Sequence, residues 1–124
     1  MRTIETPRLI LRPFTIEDTK ASYEMSLDPI VMEFLGGVDT GTLEEHQEMI
    51  KKAPLGDYEK YQFGRHAVIH KETGEYMGFT GLKYLPELDE VDIGWRLKHK
   101  FWRQGYGYES ALPCVDFAFN DLGL

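Results

Sequence analysis

The turn from Trp102 to Gly107, with the sequence WRQGYG, is the segment whose residue types and spacing point most directly to chemistry. It joins an alternating segment to one with helical spacing, and a strand that runs through glycines into a helix presents successive backbone N–H groups. The helix N-terminus adds about half a positive charge. Lys98, Lys100 and Arg103 lie around it in an otherwise acidic chain. An anion such as a phosphate is the natural ligand, although a G-x-G alone also fits a tight turn that binds nothing.

Other nucleotide and metal motifs are missing from the sequence. A dinucleotide-binding fold needs G-x-G-x-x-G in an early βαβ unit, and a nucleoside-triphosphate loop needs G-K-[ST], and neither occurs. The histidines lack the HExxH spacing, so no metal site is predicted. Cys114 is the only cysteine and has apolar neighbours, which favours a packing role over a nucleophile.

Composition limits the class of partner. The chain has 124 residues, enough for one domain, and 42% of them are hydrophobic. Its net charge of −7 disfavours nucleic acid and anionic membranes as partners. Because the N-terminus has no apolar signal region and no segment has the ~18 apolar residues of a membrane helix, a cytoplasmic protein is expected.

The N-terminal half predicts one strand and two helices. Residues 8–12 alternate between basic and apolar side chains and lie between two prolines, which is typical of a short edge strand. A helix is predicted from the N-cap Thr15 to Leu27. A second begins after Thr42, which has Glu45 three residues on, and ends at Ala53-Pro54.

A hairpin follows, built from residues 63–70 and 75–84 around a Thr-Gly turn. Gly78 and Gly81 within its second strand indicate a bulge or a close approach of another backbone.

The last elements flank the glycine turn. Residues 91–97 alternate cleanly and predict the central strand of the sheet. From Gly105 onward the apolar spacing is helical, and Pro113 within that helix predicts a kink or a lost hydrogen bond.

Four segments, taken in order, resemble the GNAT superfamily, in particular its ribosomal-protein N-terminal acetyltransferase-like branch. They are ETPRLILR at residues 5–12, ETGEYMGF at 72–79, DIGW at 92–95 and FWRQGYGYES at 101–110. The resemblance spans the chain as a single domain, residues 1–124. It implies an α/β (α+β) fold, with a mostly antiparallel central sheet flanked by helices.

The resemblance also implies that acetyl-CoA is the cosubstrate. The family's Q/R-x-x-G-x-G/A turn maps onto residues 102–107, with Trp102 in place of the usual first residue. In the family this turn's amides hold the pyrophosphate, and the preceding strand pairs with the pantetheine arm like an added strand. The cofactor-binding residues expected on this basis are Trp95, Leu97, Arg103, Gln104, Gly105, Gly107 and Tyr108.

Members of the family transfer acetyl directly to an amine, here expected to be a protein N-terminus or a small-molecule amine. The acceptor must first lose a proton, because an ammonium group has no lone pair for attack. Many relatives use a glutamate on the central strand, and the matching residue is Asp92. Asp92 is one methylene shorter, and a simple surface carboxylate is an equally open interpretation.

The family normally continues beyond the helix that follows the turn. We therefore expect a domain truncated after its third helix, either as a fragment or with its sheet edge covered by a second copy in a homodimer. The alternative function is a catalytically silent module that binds acyl-CoA or a partner.

Overall fold

The computed structural model describes residues 1–124 and contains one sheet of five strands in the order β1-β2-β3-β4-β5. Every neighbouring pair of strands is antiparallel. The strands are β1 (Ile4–Glu5), β2 (Leu9–Pro13), β3 (Arg65–His70), β4 (Tyr76–Leu85) and β5 (Glu90–Leu97). This is the expected α/β fold, with an antiparallel sheet flanked by helices.

Five α-helices accompany the sheet: α1 (Thr19–Ser26), α2 (Pro29–Met32), α3 (Leu43–Ile50), α4 (Gly56–Tyr61) and α5 (Tyr106–Asn120). Short 3₁₀ turns precede α1 and α5, and a wider turn at Lys51–Leu55 joins α3 to α4. The last helix is therefore the fifth, and the expectation of a third and final helix is wrong. Both α2 and α4 are too short to produce a helical repeat in the sequence.

The capping residues predicted for the first helices are in place. The Asp18 carboxylate accepts a hydrogen bond from the Thr15 N–H at 2.9 Å. At α3 the Thr42 hydroxyl accepts from the Glu45 N–H, and the Glu45 carboxylate accepts from the Thr42 N–H, each at 3.1 Å. These reciprocal bonds satisfy N–H groups that a helix start leaves unpaired.

The structure corrects two predictions about strand position. The strand at residues 8–12 is internal, because β1 pairs with β2 on one side and β3 pairs with it on the other. The strand at residues 91–97 is not central, because β5 pairs only with β4 and forms the edge of the sheet. The alternation of a strand indicates which side chains lie on the same face of the sheet. It does not indicate whether one or two strands pair with it.

Helices cover both faces of the sheet. Leu11, Val68, Met77 and Leu97 belong to the main core cluster, which α5 completes with Cys114. The predicted packing role of Cys114 is confirmed, since its side chain is buried and burial raises the pKa of its thiol to about 11. On the opposite face, α1 and α4 pack over a second cluster.

Nowhere do His, Cys, Asp and Glu side chains gather in a group that could hold a metal ion. None of the helices combines the length and apolar character that a membrane crossing requires.

Gly78 in β4 allows the edge strand to pack closely. Its φ is +145°, and a Cβ placed there would lie 2.0 Å from the carbonyl oxygen of Arg96 in β5. The prediction of a close backbone approach is confirmed at this position. Residues with a side chain rarely adopt such a φ value, and their Cβ atom would push β5 away from β4.

We expect Gly78→Ala to lower the free energy of unfolding by at least about 3 kcal/mol, through strain and displacement of β5. Gly74→Ala is the matched control, because Gly74 also has a positive φ, +75°, but open space around it. It should cost about 1 kcal/mol from backbone strain alone. Urea unfolding of both variants measures the difference, and equal losses would contradict the close approach.

Candidate functional site

The turn before α5 carries an uninterrupted run of unpaired backbone donors. Arg103 and Gly105 adopt positive φ values of 61° and 82°. The first backbone bond into α5 is that from the Glu109 N–H to the Gly105 carbonyl, at 3.0 Å. The consecutive N–H groups from Arg103 to Tyr108 donate to no protein acceptor, and no side chain caps this helix start. A concentrated set of donors at a helix N-terminus suits an anion.

Glu109, in the first turn of α5, ties this turn to the segment between β1 and β2. Its carboxylate accepts hydrogen bonds from the Thr6 hydroxyl at 2.5 Å, the Arg8 N–H at 3.0 Å and the Arg8 Nε at 2.6 Å. Arg8 Nη2 also donates to the Gln104 carbonyl at 3.1 Å, and the guanidinium lies 4.1 Å from the centre of the Tyr106 ring. Residues distant in sequence therefore fix the backbone of the turn from both ends.

The two lysines expected to attract an anion share one carboxylate, so the cluster keeps a single net positive charge. Glu75 lies 2.7 Å from Lys100 Nζ and 3.4 Å from Lys98 Nζ. The hydrogen bond from Lys100, together with Lys98, lowers the pKa of Glu75 and keeps it ionised. Arg103 is exposed and forms no ion pair, so it is the remaining cation of the turn.

The outer edge of β5 offers backbone groups to a partner. The Lys98 N–H donates to the Met77 carbonyl at 2.8 Å, which fixes the alternation of the β4–β5 ladder. In an antiparallel pair, the residues between the bonded ones direct their N–H and C=O groups away from the partner strand. Those residues include Trp95 and Leu97. The Leu97 carbonyl is occupied by Trp102 Nε1 at 2.9 Å, while the N–H groups of Trp95 and Leu97 face the open edge.

Gly107 has a steric role that the sequence did not reveal. A Cβ at Gly107 would lie 2.3 Å from Trp95 Nε1, so the missing side chain makes room for the indole of Trp95. Trp95 is nevertheless 53% exposed. The strand edge and the turn, predicted separately from sequence, are thus in contact through this pair. Tyr108, on the outside of the helix, is mostly exposed.

Asp92 lies on the opposite face of β5 from Trp95, as alternation requires. Its carboxylate accepts from Arg65 Nη2 at 3.0 Å. Arg65 Nη1 also donates to the carbonyls of Gly81 and Gly94, so the guanidinium spans β3 to β5 across the sheet. The Asp92 side chain is 52% exposed, which leaves it accessible to a proton donor from solvent or substrate.

Two cavities meet on this face and share the side chains of Arg65, Phe79 and Arg96. One, of about 320 Å³, borders Trp95, Leu97 and Trp102 at the strand edge. The other, of about 290 Å³, extends beneath α1 and α3. A further cavity of about 710 Å³ lies between α4 and the end of β4, away from the turn.

His46 connects the helices above the inner cavity. Its Nε2 lies 2.9 Å from the Ser22 hydroxyl, and its Nδ1 lies 3.3 Å from Asp39 Oδ2. A hydrogen bond from the Gly41 N–H, with a smaller one from His46, lowers the pKa of Asp39 despite burial. His46 is buried, and its contacts with Ser22 and Asp39 hold α3 against α1 at the wall of the inner cavity.

Sequence reasoning missed most of the residues that hold the site together. Thr6, Arg8 and Glu109 lie in segments quoted for the family resemblance, but nothing in their spacing indicates that they meet. Arg65 and Arg96 look like ordinary polar positions of alternating strands. Such pairings depend on register and topology, which a single sequence does not encode locally.

Comparison with known proteins extends these observations. A family model described as "Acetyltransferase (GNAT) domain" matches residues 8–124. This match does not support the expected truncation. The chain is 28% identical to the "Uncharacterized N-acetyltransferase p20" of Bacillus licheniformis over all of its own length and 70% of that protein.

Two further relatives bear on chemistry and fold. The "FsC-acetyl coenzyme A-N(2)-transacetylase" of Aspergillus fumigatus is 27% identical over 98% of this chain and 54% of its own length. A crystal structure of an acetyltransferase from Agrobacterium tumefaciens superposes with a TM-score of 0.85 at 27% identity. The superposition covers this whole chain and 70% of the other.

Glu109→Gln should lower the free energy of unfolding by about 1–3 kcal/mol near neutral pH, since it removes the charged acceptor for Thr6 and Arg8. Burial raises the pKa of Glu109, but the hydrogen bonds from Thr6 and Arg8 outweigh it and bring the pKa below its ordinary value. A lowered folded-state pKa stabilises the protein above the unfolded value. That contribution is lost as pH falls through the folded value.

Urea unfolding between about pH 7 and pH 3 tests this, and the gap between wild type and variant should narrow at the acid end. Glu72→Gln, which removes an exposed carboxylate, is the control and should stay within about 0.5 kcal/mol of wild type throughout. A Glu109→Gln variant as stable as wild type near pH 7 would show that the tie is dispensable.

Proposed function

The chain belongs to the GNAT acetyltransferase family, and from this premise we propose that it transfers an acetyl group from acetyl-CoA to an amine. The acceptor is a protein N-terminus or a small-molecule amine. The observation that supports this best is the run of unpaired N–H groups from Arg103 to Tyr108. The N(2)-transacetylase of Aspergillus fumigatus, whose name includes acetyl coenzyme A, supports both the donor and the nitrogen acceptor.

In this proposal the turn holds the pyrophosphate of acetyl-CoA. The amides of Gln104, Gly105, Gly107 and Tyr108 face outward without competing acceptors, and the N-terminus of α5 adds its dipole. Arg103 contributes a cation that lies in the turn itself and contacts no carboxylate, whereas Lys98 and Lys100 share Glu75. The pyrophosphate would be bound by local N–H groups and Arg103, so its binding does not require a net positive charge on the whole protein.

The open edge of β5 would bind the pantetheine arm. The N–H groups of Trp95 and Leu97 face that edge, so an extended chain carrying amides can pair there as a further strand. The edge borders the outer cavity, which Arg65, Phe79 and Arg96 connect to the inner one. A group held along the edge is therefore next to the space where an acceptor can bind.

Bound acetyl-CoA supplies a thioester carbonyl that an uncharged amine can attack. We assign Asp92 to the preceding proton transfer, either directly or through a water, because it is the exposed carboxylate on this face of β5 that Arg65 binds. Arg65 orients the carboxylate through Oδ2 at 3.0 Å. The proton would leave the ammonium for Asp92 and pass from there to solvent.

A catalytically silent acyl-CoA-binding module is the second candidate. The observation that favours it is the ion pair between Asp92 and Arg65, since an aspartate that serves only to anchor Arg65 needs no catalytic role. Such a module would be stabilised by acetyl-CoA and would release no thiol.

We expect thiol release from acetyl-CoA to depend on an amine, and Asp92→Asn to reduce kcat about a hundredfold near neutral pH. The assay measures free coenzyme A thiol with a panel of amines. Asp116→Asn, which removes an exposed carboxylate from α5, is the matched control and should keep full activity.

Two outcomes would count against this assignment. Unchanged kcat in folded Asp92→Asn would remove Asp92 from the mechanism. Thermal stabilisation by acetyl-CoA without thiol release for any amine would favour the silent module.

A further inference from the structure

Arg96 is a charged group whose partner is missing from the chain itself. It is half-buried in β5, with its guanidinium 5.1 Å from the centre of the Phe79 ring. It takes part in none of the ion pairs of the structure. Burial, and then the nearby charge of Arg65, lower its pKa. A guanidinium nevertheless stays protonated and keeps five N–H donors, and no protein acceptor occupies those of Arg96.

Two other cations, Arg65 and Lys83, line the inner cavity together with Arg96, and both are bound to protein acceptors. Arg65 bonds to Asp92 and to two carbonyls, as described above. Lys83 Nζ lies 3.3 Å from Asp57 Oδ2, and Asp57 is the only carboxylate that lines the inner cavity. That carboxylate is therefore already paired with Lys83. Arg96 therefore faces this space with donors that no protein group competes for.

The position of Arg96 relates it to the proposed transfer. It lines both the outer cavity, next to Trp95 and Leu97, and the inner cavity beneath α1 and α3. Part of the wall of the inner cavity is apolar and includes Phe14, Ile50 and Phe79. An ion pair formed against such walls is less screened by water than one at the surface.

We propose that Arg96 binds a carboxylate of the acceptor, so that the protein selects amines that carry an acidic group. The assignment of the ligand as an acceptor rests on the proposed acetyl transfer. A carboxylate can accept two parallel N–H bonds from one guanidinium, which fixes its orientation as well as its charge. The carboxylate belongs either to a free amino acid or to an acidic side chain at a peptide N-terminus.

Two pairs of amines distinguish these sources. Leucine and leucinamide differ in the α-carboxylate, and C-terminally amidated tripeptides beginning with glutamate or glutamine differ in the side-chain carboxylate. We expect wild type to prefer the acidic member of one pair by about tenfold or more in kcat/KM. Arg96→Gln should abolish that preference, with the loss seen in KM for the acidic member, and Arg96→Lys should retain part of it.

Lys20→Gln is the charge-matched control, because Lys20 is exposed on α1 and forms no ion pair. This variant should show the same preference as wild type. Circular dichroism melting confirms that each variant is folded. Equal rates for both members of both pairs in wild type would overturn the carboxylate site while leaving acetyl transfer intact. A preference that survives in Arg96→Gln would overturn it as well.

Calorimetric binding of the same amines, in the presence of coenzyme A, separates this proposal from the proposed function. If no amine is acetylated but the acidic member still binds about tenfold more tightly and loses that advantage in Arg96→Gln, the site stands and the transfer proposal fails. Equal binding of the acidic and neutral members would reject the site whatever the activity.

Discussion

The carboxylate of Glu109 is the constraint on which the arrangement of the site depends. It sits in the first turn of α5, where a negative charge also complements the helix dipole, and it binds the Thr6 hydroxyl and Arg8. Arg8 in turn bonds to the carbonyl of Gln104 and packs on Tyr106. Through these contacts, the segment between β1 and β2 sets the conformation of a turn about a hundred residues away in the chain. Without them, the amides of the turn would be free to reorient.

The consequence is a protein that keeps polar backbone groups ready for a ligand along a continuous path. The path begins at the unpaired amides before α5, passes the indole of Trp95 on Gly107, and follows the open edge of β5. It ends at the cavities that Arg65, Phe79 and Arg96 share. Because β5 is an edge strand, the N–H groups on its outer side are open to a ligand, and the strand lies between the helix start on one face and Asp92 on the other. A homodimer in which a second copy covers this edge stays a prediction.

Much of the fold was predictable because its signals are local. Each of these signals depends on a few neighbouring residues. They are the helix caps at Thr15 and Thr42, the alternation of residues 91–97 and the turn from Trp102 to Gly107. Strand order was not predictable in this way. The same alternating pattern suits a central or an edge strand, and β1, with two residues, is too short to leave a pattern. The pairing of Lys98 and Lys100 with Glu75 was hidden for the same reason, since it joins two segments across the sheet.

The central claim is that the turn and the β5 edge together bind acetyl-CoA, and nuclear magnetic resonance of backbone amides tests it most directly. Titration of the ¹⁵N-labelled chain with acetyl-CoA should shift the amide signals of Arg103 to Tyr108 and those of Trp95 and Leu97, and should slow their exchange with solvent. Amides around the larger cavity, such as those of Lys60 and Leu85, should not change. Shifts confined to that cavity, or no shifts at saturating acetyl-CoA, would contradict the account.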